Sequence, residues 1–238
     1  MIYTKNNIVR ASDCGFTTDL SLPGAFHAVE DAYCEFLGKL GADGVYVLKT
    51  YGATWMYTKH KMQIFKTLPW NSRYNSRCFI SRISKLIYVT DIAFFDEADE
   101  LALYSQIETC LIDVNSQQIK PLADIGFENN ETHPPLIQGS FSRLITKNDV
   151  TEICRTKVNN CNIDYNGHTN NTEYIRFLLD SYDMDILRDR SIKSIEINYL
   201  NQSRLNDELV VLRTSADGRD RFDIRRDDTT IIKGEIVF

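Results

Sequence analysis

Two spacings of apolar residues alternate along the chain, and each spacing predicts one kind of element. Between residues 21 and 41 the apolar positions recur at helical intervals, at Phe26, Val29, Tyr33, Phe36, Leu37 and Leu40. Pro23 lies in the first turn of this stretch and Gly41 follows its last turn, so we predict one helix there. The segments 52–66, 75–84, 86–95 and 102–114 are instead rich in β-branched and aromatic residues and predict strands, and a short strand at 6–12 precedes the helix.

The second half of the chain repeats this order of elements. We predict a strand at 151–161, a helix from 171 to 187, and strands at 193–202, 207–215, 220–226 and 229–238. Asn170 and Glu173 have the spacing of a capping box at the start of the second helix. Residues 120–138 contain three prolines and a polar run, so they predict a linker. The pattern therefore predicts an α+β protein of two units, 1–135 and 136–238, related as an internal duplication.

Composition places the chain among ordinary globular proteins. Its 238 residues allow two units that each bury a core, and 43% of them are hydrophobic and 25% charged. The six cysteines are scattered without a Cys-x-x-Cys pair, so we expect reduced thiols, no metal site and no other cofactor. No apolar run is long enough for a membrane span, and the N-terminal segment has no signal-peptide core, so a cytoplasmic location is predicted.

Charge is unevenly distributed along the first half. The net charge of −6 argues against a nucleic acid partner. Residues 59–85 nevertheless contain seven basic residues and no acidic one, namely Lys59, Lys61, Lys66, Arg73, Arg77, Arg82 and Lys85, which we call the basic run. This run is either the solvated face of two strands or a docking surface for an acidic partner.

The densest cluster of catalytic residue types lies just before the second predicted helix. Asp164, Asn166 and His168 place a carboxylate, an amide and an imidazole within five residues. Such a string in isolation is usually a turn followed by a helix cap, so the spacing by itself leaves a structural role open. The corresponding loop before the first helix, residues 12–16, contains an Asp but neither Asn nor His, which predicts one active site per chain.

The wider segment from Asn162 to Tyr174 resembles the signature Asp-x-Asn-x-His-x-Asn-Asn-x-x-Tyr of the acyl-acyl-carrier-protein (acyl-ACP) thioesterases of bacteria and plant plastids. It matches at Asp164, Asn166, His168, Asn170, Asn171 and Tyr174, with the apolar residue Ile163 in front. Thr54-Trp55-Met56 followed by Leu68-Pro69 is similar to the family's Trp-containing strand and Pro turn, so the resemblance covers nearly the whole chain. It implies a double hotdog fold, in which each of two tandem units is a long helix wrapped by an antiparallel sheet. It also implies hydrolysis of acyl-ACP to free fatty acid and holo-carrier protein, which ends chain elongation.

Thioester hydrolysis needs an activated water or a nucleophile and donors to the oxygen that becomes negative, and from this chemistry we assign a role to each residue of the loop. Asp164 would be the general base or the direct nucleophile, His168 would orient and polarise the water or the thioester, and Asn166 would supply an amide donor. Backbone N–H groups at the start of the helix would complete the oxyanion site. In the plant enzymes a Glu-Cys pair follows a Tyr-containing strand, and the matching residues here are Gln202 and Ser203. A Cys-His-Asn mechanism is therefore not expected; Gln202 would position the water, and Ser203 would need an activating base to act as a nucleophile.

Substrate contacts follow from the same resemblance. We expect Trp55, Met56, Met62 and Tyr174 to line an apolar acyl pocket, and the basic run to dock the acidic carrier protein. Two other functions remain open on the sequence. One is an acyl-CoA thioesterase of the hotdog type, and the other is a non-catalytic hotdog protein that binds acyl chains, because Gln202 stands where Glu is expected. The predicted fold is compatible with a monomer or a homodimer.

Overall fold

The chain folds into two compact units, the first unit Met1–Ser140 and the second unit Phe141–Phe238. A computed structural model describes residues 1–144 and 150–238. The predicted boundary at 135/136 differs slightly from this division, and residues 145–149 of the predicted second unit lie outside the described residues.

The first unit contains six antiparallel strands of one sheet and two α-helices. Its elements are β1 (Tyr3–Ile8), α1 (Leu22–Lys39), α2 (Gly44–Tyr51), β2 (Ala53–Ile64), β3 (Arg73–Ile83), β4 (Ile87–Phe95), β5 (Leu101–Asp113) and a short β6 (Ile119–Lys120). The strands lie in the order β1-β3-β4-β5-β2, and β6 pairs with β5. The helix α1 packs on one face of this sheet, where its Tyr33 ring lies 5.2 Å from the Tyr57 ring of β2.

The second unit repeats this topology. Its elements are β7 (Thr151–Lys157), α3 (Asn171–Leu179), α4 (Met184–Asp189), β8 (Ser194–Tyr199), β9 (Glu208–Ala216), β10 (Arg219–Arg226) and β11 (Thr229–Val237). The strand order β7-β9-β10-β11-β8 is the order of the first unit, element for element. The predicted duplication and the double hotdog fold are therefore confirmed. No helix among the described residues is long and apolar enough to cross a bilayer.

The first helix forms where its sequence predicts it. The Ser21 hydroxyl accepts a hydrogen bond from the Gly24 N–H at 3.1 Å and so caps the start of α1, while Pro23 lies in the first turn. Gly41 follows the helix with φ of +67°, a conformation that glycine adopts without steric cost. The predicted apolar stripe is buried except at Leu40, which is half-buried and caps the end of the helix.

The structure corrects the bounds of two predicted elements and adds one helix. The second helix ends at Leu179 and not at 187, because the Ser181 hydroxyl turns back to donate to the Leu178 carbonyl at 2.6 Å, and the separate helix α4 follows. The first strand spans 3–8 and not 6–12, because residues 11–13 form a 3₁₀ turn. The helix α2 was not predicted; Asp43 caps it by accepting from the Tyr46 N–H at 2.9 Å.

The predicted linker is also corrected in part. Within 120–138, Leu122 and Phe127 are buried, and the Phe127 ring lies 5.0 Å from Trp55 and 4.5 Å from Tyr88. The backbone N–H of His133 donates to the Ile80 carbonyl at 2.9 Å. Much of this segment therefore belongs to the first unit, because its few apolar residues fill gaps in that unit's core.

One glycine contact in the second unit gives a stability test. A Cβ on Gly234 of β11 would overlap the ring of Phe222, its cross-strand partner in β10. We expect Gly234→Ala to lower the free energy of unfolding by about 1–3 kcal/mol because of this overpacking. In the background Phe222→Leu the same change should cost less, since the ring is gone. Denaturant unfolding of the four proteins measures the difference, and equal costs in both backgrounds would contradict the assigned contact.

Candidate active site

The segment 159–170 forms a tight loop before α3. Asp164 donates its backbone N–H to the His168 carbonyl at 2.8 Å, and Gly167 donates its own to the Asp164 carbonyl at 3.1 Å. Gly167 has φ of +79°, which its missing side chain permits. This turn brings Asp164, Asn166 and His168 together through local geometry, as the sequence predicts.

The carboxylate of Asp164 has one oxygen in use and one available. Its Oδ1 accepts the backbone N–H groups of Asn166 at 2.8 Å and of His168 at 3.2 Å, which is an Asx turn. Its Oδ2 has no hydrogen-bond partner among the described residues. The turn therefore fixes the orientation of the carboxylate and leaves the second oxygen for chemistry.

The side chains of the neighbouring residues Asn162 and Asn170 form hydrogen bonds within the loop and the start of α3. Asn162 accepts from the Asn159 N–H at 2.8 Å and donates to the Glu173 carboxylate at 2.6 Å. Asn170 caps α3 by accepting from the Thr172 N–H at 2.8 Å. Of the predicted capping box, only the contact made by the Asn170 side chain forms. The return hydrogen bond from the Glu173 side chain does not, because the Asn170 N–H donates to the Asn162 carbonyl and the Glu173 carboxylate accepts from Asn162. The N–H groups of Thr172 and Glu173 are both occupied by Asn170, so the first turn of α3 offers fewer oxyanion donors than the sequence suggests.

Ser203 joins the loop to the connection after β8. Its side chain is fully buried, and its hydroxyl lies 2.7 Å from the Thr169 hydroxyl and 2.8 Å from the Tyr174 hydroxyl. The Thr169 N–H also donates to the Ser203 carbonyl at 2.9 Å. Both Ser203 and Tyr174 are thus packed within the scaffold of the loop. Gln202 is exposed beside them, and its side chain has no hydrogen bond among the described residues.

Three functional groups of the loop remain open to a substrate. Oδ2 of Asp164, the amide of Asn166 and the imidazole of His168 make no side-chain hydrogen bond within the described part of the chain. All three residues are partly exposed. A carboxylate, an amide donor and an imidazole are consequently held on a rigid turn with their reactive atoms unoccupied, as a site for acyl transfer to water requires.

Electrostatics at the loop favour a neutral imidazole. Burial is the main cause that lowers the pKa of His168; the Asp164 carboxylate opposes this shift and the Arg204 guanidinium adds to it. Arg204 follows Ser203, whose hydrogen bonds to Thr169 bring this part of the chain to the loop, so the charge of Arg204 acts on the imidazole. The sequence analysis missed Arg204. Its position directly after the Gln202-Ser203 pair was the signal that could have identified it.

The equivalent loop of the first unit has the same backbone and different chemistry. Gly15 donates its N–H to the Asp19 carbonyl at 3.1 Å, and Thr18 donates to the Gly15 carbonyl at 3.1 Å, which repeats the pattern of the second unit. Gly15, Thr17 and Asp19 therefore occupy the positions of Asp164, Asn166 and His168. This loop contains neither the carboxylate at the first position nor an imidazole, which agrees with a single active site per chain.

The predicted acyl-contact residues lie in different environments. The Trp55 indole donates to the Ala42 carbonyl at 2.8 Å, and its ring packs against Tyr88 and Phe127. Met62 is fully buried in the same unit, and Met56 is half-buried next to Trp55 on β2. Tyr174 is buried in the second unit. Their contact with an acyl chain stays a prediction.

Most of the basic run is neutralised locally. Four of its side chains pair with acids of the first unit: Lys59 and Arg82 with Glu108, Lys66 with Asp96 and Glu100, and Arg77 with Asp99. Lys61 contacts the Ser140 carbonyl at 3.5 Å. Arg73 and Lys85 are exposed at opposite ends of β3 and have no ion pair in the described residues. The run is consequently distributed along the sheet, and its uncompensated charge is concentrated at these two positions.

Comparison with known proteins gives one family for the whole chain. Residues 1–126 match the acyl-ACP thioesterase N-terminal domain, and residues 145–237 match the acyl-ACP thioesterase C-terminal domain. A search of curated proteins finds no match.

Solved structures agree in fold. An acyl-ACP thioesterase from Bacteroides thetaiotaomicron is 16% identical, with a TM-score of 0.88 over 100% of this chain and 97% of its own. A 12:0-ACP thioesterase from Umbellularia californica is 13% identical, with a TM-score of 0.89 over 99% of this chain and 96% of its own. A putative oleoyl thioesterase from Lactobacillus plantarum is 15% identical, with a TM-score of 0.86 over 99% and 95%.

The electrostatic arrangement at His168 can be tested by titration. Because Arg204 lowers the pKa of His168, we expect Arg204→Gln to raise it, and Arg204→Lys to change it less because the positive charge is kept. Asp164→Asn should lower this pKa further, since a charge that favours the imidazolium is removed. NMR titration of the His168 ring protons measures the three shifts. A fall in Arg204→Gln, or a rise in Asp164→Asn, would contradict the assignment.

Proposed function

The chain belongs to the acyl-ACP thioesterase family and hydrolyses the thioester of acyl-ACP, and we propose that this reaction takes place in the second unit at Asp164, Asn166 and His168. The products are free fatty acid and holo-carrier protein, so the reaction ends chain elongation. The assignment rests on which side chains of the loop are hydrogen-bonded and which are not. Every polar side chain needed for its shape is hydrogen-bonded, whereas the reactive atoms of these three residues are left open.

Asp164 is the proposed general base. Its Oδ1 is held by two backbone N–H groups, so Oδ2 has a fixed direction from which to remove a proton from water. The resulting hydroxide attacks the thioester carbonyl carbon, and a tetrahedral intermediate with a negative oxygen forms. Collapse of this intermediate breaks the carbon–sulfur bond, and the proton held by Asp164 passes to the leaving thiolate.

Asn166 and His168 act on the groups around that carbon. The Asn166 side-chain amide donates a hydrogen bond to the oxygen that becomes negative, which stabilises the transition state more than the substrate. The imidazole of His168 orients the attacking water or polarises the thioester, and its lowered pKa keeps it neutral to a more acidic pH than an ordinary histidine.

Gln202 and Ser203 receive different proposed roles. The exposed Gln202 amide is free to position the water, which a carboxamide can do without acting as a base. The hydroxyl of Ser203 already contacts Thr169 and Tyr174, so we assign Ser203 to holding the loop and not to nucleophilic attack.

Single substitutions in the loop test this assignment. We expect Asp164→Asn to lower kcat on the order of a hundredfold or more, because the base is lost, with smaller but clear losses for His168→Ala and Asn166→Ala. Asp19→Asn, at the position of the first unit that corresponds to His168, is the matched control and should leave kcat unchanged. Release of free carrier thiol from acyl-ACP measures all four. Near-normal turnover in Asp164→Asn would refute the role of this residue.

Hydrolysis of acyl-ACP in heavy-oxygen water tests whether Asp164 acts as a general base or as a nucleophile. If Asp164 attacked the thioester directly, a mixed anhydride would form, and attack of heavy-oxygen water on its aspartyl carbonyl would place the label in the Asp164 carboxylate after repeated turnover. A general base leaves the Asp164 carboxylate unlabelled and places the heavy oxygen in the fatty acid. Mass spectrometry of the peptide that contains Asp164 measures the difference, and label in this peptide would overturn the general-base mechanism.

Substrate binding is proposed to use the first unit. Met62 is buried in its core, and the half-buried Trp55 packs against Tyr88, so an acyl chain bound beside them would contact apolar and aromatic surface. Met56 is the next residue of the strand and projects from the opposite face of the sheet, where it would contact a different part of the substrate. Tyr174 is instead hydrogen-bonded to Ser203, which supports a role in shaping the loop.

Carrier-protein docking is proposed at the uncompensated cations of the basic run. Arg73 and Lys85 have no acidic partner among the described residues, whereas reversing Arg77 would also break its contacts with Asp99 and the Phe95 ring. We therefore expect Arg73→Glu and Lys85→Glu each to raise KM for acyl-ACP several-fold, with little change for acyl-CoA. The increase should diminish with added salt, because exposed charges are screened.

A charge reversal elsewhere in the first unit controls for net charge. Lys49 of α2 is exposed, lies outside the basic run and has no ion pair among the residues described, so Lys49→Glu should not change either KM. Steady-state kinetics with both substrates gives the comparison. Equal effects of Arg73→Glu on acyl-ACP and acyl-CoA would remove the docking assignment.

A further inference from the structure

The strand β1 forms one edge of the sheet in the first unit. In the described part of the chain it pairs only with β3, and the antiparallel register runs without interruption along the whole strand. Val9 continues the ladder: its N–H donates to the Ser72 carbonyl at 3.0 Å, and its carbonyl accepts from the Asn71 N–H at 3.0 Å. Hydrogen-bonding groups alternate in direction along a strand, so the odd-numbered residues of β1 bond to β3. The backbone groups that point outward, away from the sheet, are those of Thr4, Asn6 and Ile8.

This outward edge is open to a partner. A cleft of about 980 Å³ borders it and is lined by every residue from Thr4 to Ile8 and by Ala28 and Asp31 of α1. The outward N–H and C=O groups make no hydrogen bond to any other described residue. The side chain of Ile8 adds apolar surface, since this residue is 43% exposed. A regular edge with unpaired backbone groups is a template for a further strand.

The equivalent edge of the second unit is protected against such pairing. In β7 a bulge between Glu152 and Cys154 interrupts the register with β9. Glu152 and Arg155 are exposed and form an ion pair along this edge. Bulges and charges on an edge strand hinder the addition of another strand. The register of β1 has no bulge, and its one charged residue, Lys5, is paired with Glu35 of α1.

We propose that β1 pairs with β1 of a second copy of this chain, so that the protein is a homodimer whose two first units share one continuous sheet. The pairing is antiparallel and two-fold symmetric, with Asn6 opposite the partner's Asn6. Thr4 of each copy then lies opposite the partner's Ile8, and Lys5 lies opposite the partner's Asn7. This interface lies in the first unit, whereas the residues proposed for hydrolysis belong to the second.

Hydrogen bonding and charge select this register. It places all three outward residues of each strand in hydrogen-bonded pairs, which gives about six backbone hydrogen bonds, two for each pair. A register centred on Lys5 would place two lysines directly opposite each other, which is unfavourable. A register centred on Asn7 would leave the outward groups of Thr4 without a partner strand residue.

Charge complementarity favours a second copy over an unrelated extended peptide. Side chains at the odd-numbered positions of β1 lie on the face of the sheet that carries α1, as the contact of Lys5 with Glu35 shows. In the proposed register the partner's Lys5 lies beside Asn7 on this face. Asp31 of α1 lines the same cleft as Asn7 and has no ion pair among the described residues. The partner's Lys5 therefore brings a positive charge to this carboxylate, and the two-fold axis repeats the contact.

The mass of the protein in solution tests the proposal. We expect light scattering of the full chain at micromolar concentration to give twice the mass of one chain. Asn6→Pro removes only an outward N–H, so β1 keeps its ladder with β3 and the dimer is lost. Asn6→Ala is the matched control: it removes the side-chain hydrogen bond from Asn75 at 3.0 Å, keeps the N–H and should stay dimeric. Circular dichroism monitors the fold of each variant. A monomeric wild-type chain, or a dimer that survives Asn6→Pro, would overturn the inference.

Disulfide cross-linking tests the register without the proline variant. In a background with the exposed residues Cys34 and Cys161 replaced by serine, Asn6→Cys places two thiols opposite each other at the two-fold axis, within the span of a disulfide. Ile8→Cys is the control, because an offset of four residues separates its two copies by about 13 Å. We expect mild oxidation to link the subunits of Asn6→Cys and not those of Ile8→Cys. Linking of Ile8→Cys, or no linking of a dimeric Asn6→Cys protein, would refute this pairing.

Discussion

The geometry of the loop that contains Asp164 and His168 depends on the hydrogen bonds of the Ser203 hydroxyl. This hydroxyl is fully buried between the hydroxyls of Thr169 and Tyr174, so one side chain joins the loop, the helix α3 and the connection after β8. Each buried hydrogen bond of this kind contributes roughly 1 kcal/mol, and leaving its partners unpaired would cost more. The junction fixes both ends of the turn that presents Asp164 and His168. It also sets the position of Arg204, whose charge lowers the pKa of His168, so the charge environment of the loop depends on this junction.

Duplication separates what the fold needs from what the reaction needs. Both units form the same turn before their main helix, with matching backbone hydrogen bonds at Gly15 and at Asp164. Only the second unit has a carboxylate at the first position of that turn and an imidazole at the last. At two equivalent positions in the cores, the polar side chains belong to the first unit: His60 and Ser105 correspond to Ile195 and Gly234 of the second. Comparison of the two units therefore separates the backbone hydrogen bonds that form the turn from the side chains proposed for hydrolysis.

Ion pairs within the first unit neutralise most of the positive charge of the basic run, although its sequence contains no acidic residue. The basic run is conspicuous in the sequence because no acidic residue interrupts it, yet Glu108 and the loop that contains Asp96 and Asp99 approach it in the fold. Opposite charges at such distances cancel most of the field that an acidic carrier protein would experience. The uncompensated positive charge of the basic run is consequently concentrated at Arg73 and Lys85.

The sequence by itself determined the elements whose signals are local. The helix α1, the strands of both sheets, the duplication and the loop with Asp164, Asn166 and His168 follow from apolar spacing, caps and a motif read over a few residues. The tertiary structure decided what depends on residues far apart in the chain. It ended α3 at Leu179, buried Phe127 of the apparent linker against Trp55, engaged Ser203 with Tyr174 and paired the basic run with acids. Hydrogen bonds and ion pairs between distant segments leave no periodicity in the sequence, so only the folded chain shows which polar groups are occupied and which remain free to react.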